Sequence, residues 1–374
     1  MNLYKQILEE IVLSYNNNYE NNYDYHRFGR QPSKNKSFKY KIKTYIIDQL
    51  KRRNFVRINA KENLKHFAEL QKWKDYDLAL QSFYELLSDD NSKKLLVKIL
   101  SYRILGHKKI VLHNNLKQYW NSLKKIESIT DFENNIPIRF MNWSLKFIDL
   151  NKIGIPIKLY FTPPGAHKDF ILKQYEYCNE NVLIKALPGD YVIDAGACWG
   201  DTALYFANEV GIEGRVFSFE FIPSNIELFK KNLNLNESLA SRINLIQNPV
   251  WGNSNTNMYY IDNGPGSIVR TEKSNNEYEG IVESLSIDDL VARSGVNKID
   301  FIKMDIEGAE SYALKGAINT LRRFKPKLAI AIYHSMDDLA NIPNFIQSLN
   351  IGYKFYLGHY SIHSEETILF ATCQ

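Results

Sequence analysis

Apolar positions in the first third of the chain recur at helical spacing. At the start of the chain these positions are Leu3, Ile7, Leu8, Ile11 and Val12. The same three- and four-residue spacing predicts further helices over 78–87 and 92–105. Asp89 and Asp90 precede the second of these helices and Gly106 follows it, which agrees with the preference of helix starts for acids and of helix ends for glycine. The sequence therefore predicts a mainly helical N-terminal region.

The pattern becomes mixed between residues 108 and 180. Short apolar runs at 110–113 and 155–161 predict strands, and the segment Thr162-Pro163-Pro164-Gly165 predicts a turn. We expect this part of the chain to pack as a lead-in on the domain that follows it.

From Tyr191 onward, short apolar runs alternate with amphipathic segments. The predicted strands cover 191–194, 216–220, 243–247, 301–305, 328–333, 353–357 and 367–371, and the predicted helices cover 202–210, 223–235, 308–323 and 337–349. This alternation favours an α/β fold whose mostly parallel sheet carries helices on both faces. The last two strands follow each other without a full helix between them, so we expect an antiparallel hairpin at one edge of the sheet.

Length and composition indicate a globular protein of about two domains. The 374 residues are 44% apolar and 24% charged, which excludes a collagen-like or disordered chain. The net charge of +5 conceals an asymmetry, because residues 1–180 carry a net charge of +12 and residues 181–374 a net charge of −7. The basic half is the natural place for an anionic acceptor or a partner subunit.

The three cysteines, Cys178, Cys198 and Cys373, form no CxxC pair. They favour neither a disulfide framework nor a thiolate zinc site. No run approaches 18 apolar residues, and the first 15 residues lack the apolar core of a secretion signal. We therefore expect a cytoplasmic protein without a membrane span.

The most informative motif is an apolar strand followed by a glycine turn and a helix, at residues 192–202. Gly196 and Gly200 allow a ligand to approach the backbone closely, and the start of the helix offers unpaired N–H groups. Asp194 ends the strand, where a carboxylate suits a cationic amine better than a pyrophosphate. A tight turn without a ligand is the alternative interpretation.

Glu220 ends the second strand of this unit. An acid at this position can accept hydrogen bonds from both hydroxyls of a ribose. A solvated strand end is the alternative for Glu220 taken alone. Together with Asp194 and the two glycines, however, Glu220 indicates a nucleoside site. A cationic amine and a ribose, without a pyrophosphate, indicate S-adenosylmethionine (SAM) as the cofactor.

A third group of polar residues follows two later strands. Asp305 and Glu307 come at the end of the strand predicted over 301–305, and His334 follows the next strand. Two carboxylates at this edge of the sheet can serve as a general base or as ligands of a divalent cation, and the histidine can serve in either role. Glu310 is interpreted as an acid that complements the dipole of the following helix.

These motifs together resemble the FkbM family of SAM-dependent methyltransferases, from about residue 189 to the C-terminus. The matching segments, in the family's order and spacing, are Asp-x-Gly-Ala-x-x-Gly-x-Thr at 194–202, Phe-Glu-Phe-x-Pro-x-Asn at 219–225, Ser-Ile-Asp-Asp-Leu at 286–290, Lys-Met-Asp-Ile-Glu-Gly-Ala-Glu at 303–310, Lys-Pro-Lys-Leu at 325–328 and Tyr-His at 333–334. A weaker similarity reaches back toward residue 80. The resemblance implies a class I, Rossmann-like methyltransferase fold and O-methylation of a hydroxyl, typically on sugars or polyketide-type molecules.

The motifs and the resemblance together give an expected site. The expected cofactor contacts are Tyr175, Asp194, Gly196, Ala197, Cys198, Trp199, Gly200, Asp201, Thr202, Glu220, Phe221, Asn248 and Asp305. The expected catalytic residues are Asp305, His334 and Glu307, and the same three are candidate ligands of a divalent cation. We expect either a base at Asp305 or His334, or a cation that polarises the acceptor hydroxyl.

The expected organisation has three units. These are a helical region over 1–75, a mixed lead-in over 76–180 and the catalytic domain over 181–374. The first region is interpreted as a packing or dimerisation module, which would make the protein a homo-oligomer. In the alternative, its basic side chains, or those of the lead-in, hold the diphosphate of a nucleotide-activated sugar.

The predicted function is transfer of a methyl group from SAM to a sugar hydroxyl. The expected acceptor is a nucleotide-activated sugar for capsular or another surface polysaccharide, as the resemblance implies. Two other functions stay open: an RNA methyltransferase that uses the basic half, and a SAM-binding protein without catalysis.

Overall fold

The computed structural model describes residues 2–19, 22, 73–112, 116–179, 181–273 and 278–373. Most of the region predicted over 1–75 therefore lies outside the described residues. Within the described ranges, no helix combines the length and the apolar character that crossing a membrane requires.

Four helices precede the first strand in the described part of the chain. They are α1 (Leu3–Ser14), α2 (Asp77–Leu86), α3 (Asp90–Leu105) and α4 (Leu116–Ile129). Helix α3 has the predicted ends, because the Asp89 side chain accepts a hydrogen bond from the Ser92 N–H and Gly106 follows the last turn with a φ of 80°. The helices predicted over 78–87 and 92–105 are confirmed to within two residues.

A three-stranded antiparallel sheet follows these helices. The sequence pattern predicts its third strand, within 155–161, but not the first two. Its strands are β1 (Thr130–Pro137), β2 (Ser144–Asp149) and β3 (Lys158–Phe161), in the order β1-β2-β3. Strand β1 is mostly exposed and therefore lacks the apolar alternation of a half-buried strand.

Two predictions in the lead-in are wrong. Residues 110–112, the described part of the strand predicted over 110–113, do not form a strand. The turn predicted at 162–165 is the start of a short helix, α5 (Pro163–Ala166). The Thr162 side chain accepts a hydrogen bond from the Gly165 N–H and proline occupies the first turn of α5, which is a favourable helix start.

The remaining strands form a short ribbon, a central sheet and a small outer sheet. In chain order they are β4 (Tyr177–Cys178), β5 (Leu183–Ile184), β6 (Tyr191–Ala195), β7 (Arg215–Phe219), β8 (Ile243–Ile246), β9 (Asn257–Ile261), β10 (Ile268–Arg270), β11 (Gly280–Glu283), β12 (Phe301–Met304), β13 (Lys327–Ala331), β14 (Lys354–His359) and β15 (Thr367–Thr372). The central sheet has the order β14-β15-β13-β12-β6-β7-β8. Strand β15 runs antiparallel to both of its neighbours, and the other neighbouring strands pair in parallel. The predicted parallel sheet with an antiparallel edge hairpin is confirmed.

Helices connect the strands of the central sheet. They are α6 (Asp201–Val210), α7 (Pro223–Asn234), α8 (Glu237–Ala240), α9 (Ile287–Ser294), α10 (Glu310–Lys315), α11 (Ile318–Phe324) and α12 (Met336–Ser348). The single helix predicted over 308–323 is in fact two helices. The chain changes direction at Gly316, where a side chain would overlap the backbone carbonyl of Trp251.

Each face of the central sheet has its own core. Val192 and Phe301 pack on one face with apolar residues of α6 and of the antiparallel sheet, whereas Ile193 and Ile302 pack on the other face with residues of α1, α2 and α3. Neighbouring residues of one strand point to opposite faces, which explains this division. The core is thus continuous across residues 75 and 180, and the predicted division into three units stays a prediction.

Two asparagines, Asn232 in α7 and Asn236 at the start of α8, attach the antiparallel sheet to the central one. The Asn232 side chain accepts a hydrogen bond from the Tyr160 N–H (2.7 Å) and donates to the Tyr160 carbonyl (3.1 Å). One turn later, Asn236 makes the same pair of bonds to the N–H and carbonyl of Lys158, at 2.9 and 2.6 Å. The side-chain amides therefore form hydrogen bonds with the backbone groups on the edge of β3 that does not pair with β2.

We expect the substitution Asn232→Ala to lower the free energy of unfolding by about 1–3 kcal/mol, because it leaves buried backbone groups of Tyr160 without partners. Urea denaturation measures this change. The matched control is Asn234→Ala, an exposed position on the same helix. Equal stability of the two variants would show that the amide contacts do not hold the sheets together.

Candidate active site

The candidate site lies where the parallel strands end. The loops after β6, β7, β12 and β13 all leave the carboxyl edge of the central sheet, and β12 lies between β6 and β13. Ligands of open α/β sheets bind at this edge. The polar residues predicted at 194–202, 220, 305–307 and 334 are therefore brought to one side of the sheet.

The glycine loop after β6 is shaped by its protein neighbours. Gly196 has a φ of 87°, and a side chain there would overlap the carbonyl oxygen of Asp305. Gly200 has a φ of 84° and lies against the ring of Phe229. Both positions need glycine because of the conformation and the close packing. Cys198, between them, has a φ of 42° and is half-buried.

Asp194 forms a buried ion pair with Lys303. The Lys303 Nζ lies 3.2 Å from Asp194 Oδ1, and both side chains are almost completely buried. The ammonium also donates hydrogen bonds to the carbonyl oxygens of Ala195 (3.1 Å) and Gly196 (2.7 Å). Burial alone would lower the pKa of Lys303, but the charge of Asp194 raises it above its ordinary value. The pair thus ties the end of β6 and the glycine loop to β12.

Several residues that were expected to touch the cofactor are instead occupied by the protein. Asp194 accepts hydrogen bonds from the hydroxyls of Thr202 (2.9 Å) and Ser218 (3.1 Å) in addition to its ion pair. The indole of Trp199 is buried and donates to Asn225. Ala197 is fully buried. The Asp194 carboxylate is therefore already neutralised and enclosed by the protein, and its direct contact with a cationic amine stays a prediction.

Asp201 pairs with a residue of the lead-in. Asp169 lies in the turn after α5, and its carboxyl group is hydrogen-bonded to that of Asp201. Burial raises the pKa of both groups, since it removes the charged forms from water. The charge of Asp201 raises the pKa of Asp169 further, whereas the hydrogen bond with Asp169 lowers that of Asp201. Gln174 donates a hydrogen bond to Asp169 at 2.8 Å. Through these contacts, the lead-in packs directly against the end of the glycine loop.

Glu220 and its neighbours form the second corner of the site. One oxygen of Glu220 accepts hydrogen bonds from the N–H groups of Phe221 (2.7 Å) and Ile222 (2.8 Å). Burial raises the pKa of Glu220 to about 7 against the effect of these bonds. Asn248, at the end of β8, donates to the Glu283 carbonyl at 2.8 Å. Glu220 and Asn248 therefore lie at the ends of adjacent strands.

Asp305 is the centre of the third corner. It accepts hydrogen bonds from the hydroxyls of Tyr175 (3.2 Å) and Tyr333 (3.1 Å) and lies 3.0 Å from His334 Nε2. Burial alone would raise the pKa of Asp305, but the hydrogen bond and charge of His334 and the charge of Lys303 lower it. Asp305 is therefore a fixed negative charge, and Tyr175 brings the lead-in into contact with it.

His334 lies between three carboxylates. Its Nε2 is 3.2 Å from Glu310 as well as 3.0 Å from Asp305, and its Nδ1 is 3.6 Å from Glu307. Burial alone would lower the pKa of His334, but the hydrogen bonds to Asp305 and Glu310 raise it to about 11. These contacts favour the protonated imidazole, so the role of His334 as a base stays a prediction.

Glu307 differs from the other carboxylates because it reaches solvent. Its side chain is 37% exposed, whereas that of Asp305 is 15% exposed. Partial burial raises the pKa of Glu307 to about 7, although the charge of His334 opposes this shift. Glu307 can therefore exchange a proton near neutral pH.

Two residues gain roles that the sequence analysis did not give them. Lys303 is a charged residue inside an otherwise apolar strand, and this position was the available signal for a buried counter-ion. Glu310 is fully buried, accepts a hydrogen bond from the Ile306 N–H at 2.8 Å and has one oxygen without a partner. It is a partner of His334, and its position in the first helical turn gave no sign of this.

The central sheet carries a glycine loop after β6, an acid after β7 and a polar cluster after β12, all at the edge where open α/β sheets bind nucleosides. Comparisons with known proteins give the class of this domain. Residues 194–355 match the Methyltransferase FkbM domain. This part of the chain is therefore a methyltransferase domain of the FkbM type.

Known relatives differ considerably in sequence. The chain is 25% identical over 189 residues to Methyltransferase sdnD of Sordaria araneosa, an alignment that covers 42% of this chain and 71% of the relative. Methyltransferase FkbM of Methylobacillus flagellatus KT is 21% identical, with a TM-score of 0.49 over 78% of this chain and 58% of that chain. Aeropyrum pernix fibrillarin in complex with SAM is 14% identical, with a TM-score of 0.33 over 50% of this chain and 67% of that chain. The chain thus spans less than two thirds of the first of these two structures.

We expect the substitution Lys303→Met to lower the free energy of unfolding by about 3–5 kcal/mol, because it leaves the Asp194 carboxylate buried without a counter-charge. The double variant Asp194→Asn, Lys303→Met should lose less stability than Lys303→Met alone. Urea denaturation of the two single variants and the double variant measures this coupling. Additive losses would mean that the two side chains do not act as a pair.

Proposed function

We propose that the protein methylates a hydroxyl group of a sugar, with Glu307 as the general base. The observation that carries this proposal is the position of Glu307, a partly exposed carboxylate beside the His334 imidazolium at the ligand-binding edge of the sheet. A base with a pKa near the working pH is the most effective, and the pKa of Glu307 is raised to about 7.

The site residues support a defined orientation of SAM. Glu220, at the end of β7, suits the ribose hydroxyls, and Asn248 and Phe221 lie beside it where the adenine would extend. The loop at 196–200 would approach the methionine part through its backbone. Tyr175 and Asp305 would then face the positive sulfonium, which the fixed charge of Asp305 stabilises. SAM supplies a methyl group bound to a positively charged sulfur.

The proposed step moves a proton away from the acceptor. The hydroxyl oxygen forms a bond to the methyl carbon as the bond between that carbon and sulfur breaks, and the bonding electrons stay on sulfur. The hydroxyl proton passes to the Glu307 carboxylate. A positioned base of this kind accounts for roughly 10²- to 10⁴-fold in rate, and alignment of the two reactants accounts for roughly 7–11 kcal/mol of the barrier.

A sugar as acceptor follows from the motif resemblance described above. Members with a comparable lead-in often act on surface polysaccharides, and a nucleotide-activated sugar in the cytoplasm is the form of acceptor that we propose. The basic N-terminal half supports an anionic acceptor of this kind.

We expect Glu307→Gln to reduce kcat by roughly 10²- to 10⁴-fold, because the amide cannot take up the hydroxyl proton. A base acts in its deprotonated form, so kcat/KM of the unsubstituted enzyme should rise with pH up to about 7 and then level off. The variant should lack this rise. Transfer of labelled methyl from SAM to a sugar acceptor, followed between pH 5 and 9, measures both effects.

Glu213→Gln is the matched control, because Glu213 is exposed in the turn after α6. Calorimetry should give Glu307→Gln an affinity for SAM equal to that of the unsubstituted chain. An unchanged pH profile in Glu307→Gln would eliminate Glu307 as the base.

A divalent cation that polarises the hydroxyl is the alternative mechanism. Among the described residues, Asp305, Glu310 and His334 have donor atoms within 4.8 Å of one another. Glu310 thus takes the place that was expected for Glu307. These groups fit a cation poorly, because the His334 imidazolium already lies between the two carboxylates.

We therefore expect methyl transfer to persist in the presence of a chelator. The assay is the transfer of labelled methyl with and without ethylenediaminetetraacetate, after dialysis against the chelator. Loss of activity that magnesium or manganese restores would favour the cation mechanism over the base at Glu307.

A further inference from the structure

A cavity of about 750 Å³ opens beside the candidate active site. It is formed by described residues of the helical region and of the loops after β13 and β14, and its walls include Trp73, Tyr76, Arg103, Tyr333 and Ser364. Cavities of this size typically hold small molecules. None of these five residues belongs to the expected site.

Arg103 is the arginine among the described residues that line this cavity. It projects from α3, and its guanidinium donates a hydrogen bond to the Tyr333 carbonyl at 3.3 Å and contacts the Met336 sulfur at 3.5 Å. Its Nε is buried and has no partner. Among the described residues, no carboxylate lies within ion-pair distance of Arg103; Asp338 and Glu365 act on it only at longer range.

A partly buried guanidinium that has a buried Nε without a partner is unfavourable unless a ligand completes its hydrogen bonds. Arginine prefers phosphate and carboxylate groups, since its planar fork can donate two parallel hydrogen bonds to them. The rings of Trp73 and Tyr76 add broad apolar surfaces, against which a sugar or a base can pack. The cavity therefore suits a ring-bearing ligand with an anionic group.

The cavity adjoins the place of methyl transfer. Tyr333 lines the cavity, and its hydroxyl donates to Asp305. His334, the next residue, contacts Glu307. A ligand held at Arg103 would thus lie against the same strand end that carries the catalytic cluster.

We propose that this cavity binds the acceptor and that Arg103 pairs with an anionic group, phosphate or carboxylate, on the acceptor. This inference rests on the proposed methylation of a sugar hydroxyl and names the chemical class of the sugar. The acceptor is a negatively charged one, either a sugar linked to a nucleoside diphosphate or a sugar acid.

Calorimetry with three probes tests the inference on the full chain. The probes are uridine diphosphate, methyl glucuronide and the neutral methyl glucoside. We expect at least one anionic probe to bind more tightly than the neutral one, and its affinity to fall with rising salt concentration. Preference for uridine diphosphate identifies phosphate as the anionic group, and preference for the glucuronide identifies a carboxylate.

The substitution Arg103→Gln should weaken binding of the preferred anionic probe on the order of 10- to 100-fold, because a charged hydrogen bond is lost. Arg103→Lys keeps the positive charge but cannot donate two parallel hydrogen bonds. Its affinity for the probe should lie between those of the unsubstituted chain and of Arg103→Gln. Arg322→Gln, at an exposed position of α11, is the matched control. The inference is overturned when no anionic probe is preferred, or when Arg103→Gln binds the probe as Arg322→Gln does.

A second variant covers the case in which Arg103→Gln does not fold. Ser364→Phe leaves Arg103 in place and fills the cavity from another wall, so it should also abolish binding of the preferred probe. Normal binding in this variant would place the acceptor elsewhere.

The two proposals fail separately. Glu307→Gln should bind the anionic probe normally and lose transfer. Methylation of neutral sugars without any anionic preference would leave the role of Glu307 standing and remove that of Arg103.

Discussion

The buried ion pair between Lys303 and Asp194 is the interaction on which the rest of the site depends. The two residues lie directly opposite each other on adjacent parallel strands. Because the Lys303 ammonium also binds the carbonyls of Ala195 and Gly196, it fixes the start of the glycine loop. Either charge alone would be very unfavourable at this depth. The ion pair therefore fixes the glycine loop relative to the end of β12. In this arrangement Gly196 lies against the carbonyl of Asp305.

Positive and negative side chains alternate along the site. Most of them are held in one charge state by their neighbours. Lys303 and His334 are the cations, and Asp305 lies between them as a permanent carboxylate. Glu310 holds the other side of the His334 ring. Glu307, in contrast, lies at the solvent side of this cluster. Its pKa is raised to about 7, so its carboxyl group can gain or lose a proton near neutral pH. In the proposed function, this arrangement would present a negative surface to the positive cofactor and leave Glu307 as the base.

The N-terminal half contributes to the site as well as to the core. Tyr175 reaches Asp305 from the lead-in, and its ring lies 5.3 Å from the Lys303 ammonium. Arg103 reaches Tyr333 from the opposite face of the sheet. The basic half therefore meets the acidic half at the ends of β12 and β13.

The sequence alone determined the parallel sheet, its edge hairpin and the strand ends that carry the polar residues, because periodicity and chain order are local information. It did not determine strand β1, which has little buried surface to leave a pattern. The position of Asp194 was also predictable, but its partner was not, since Lys303 lies more than a hundred residues away in the chain. For the same reason His334 was predicted as a base, whereas the tertiary structure surrounds it with Glu310 and other carboxylates that hold its proton. Where a charged group lies follows from the sequence; whether it faces a ligand or another side chain follows from packing.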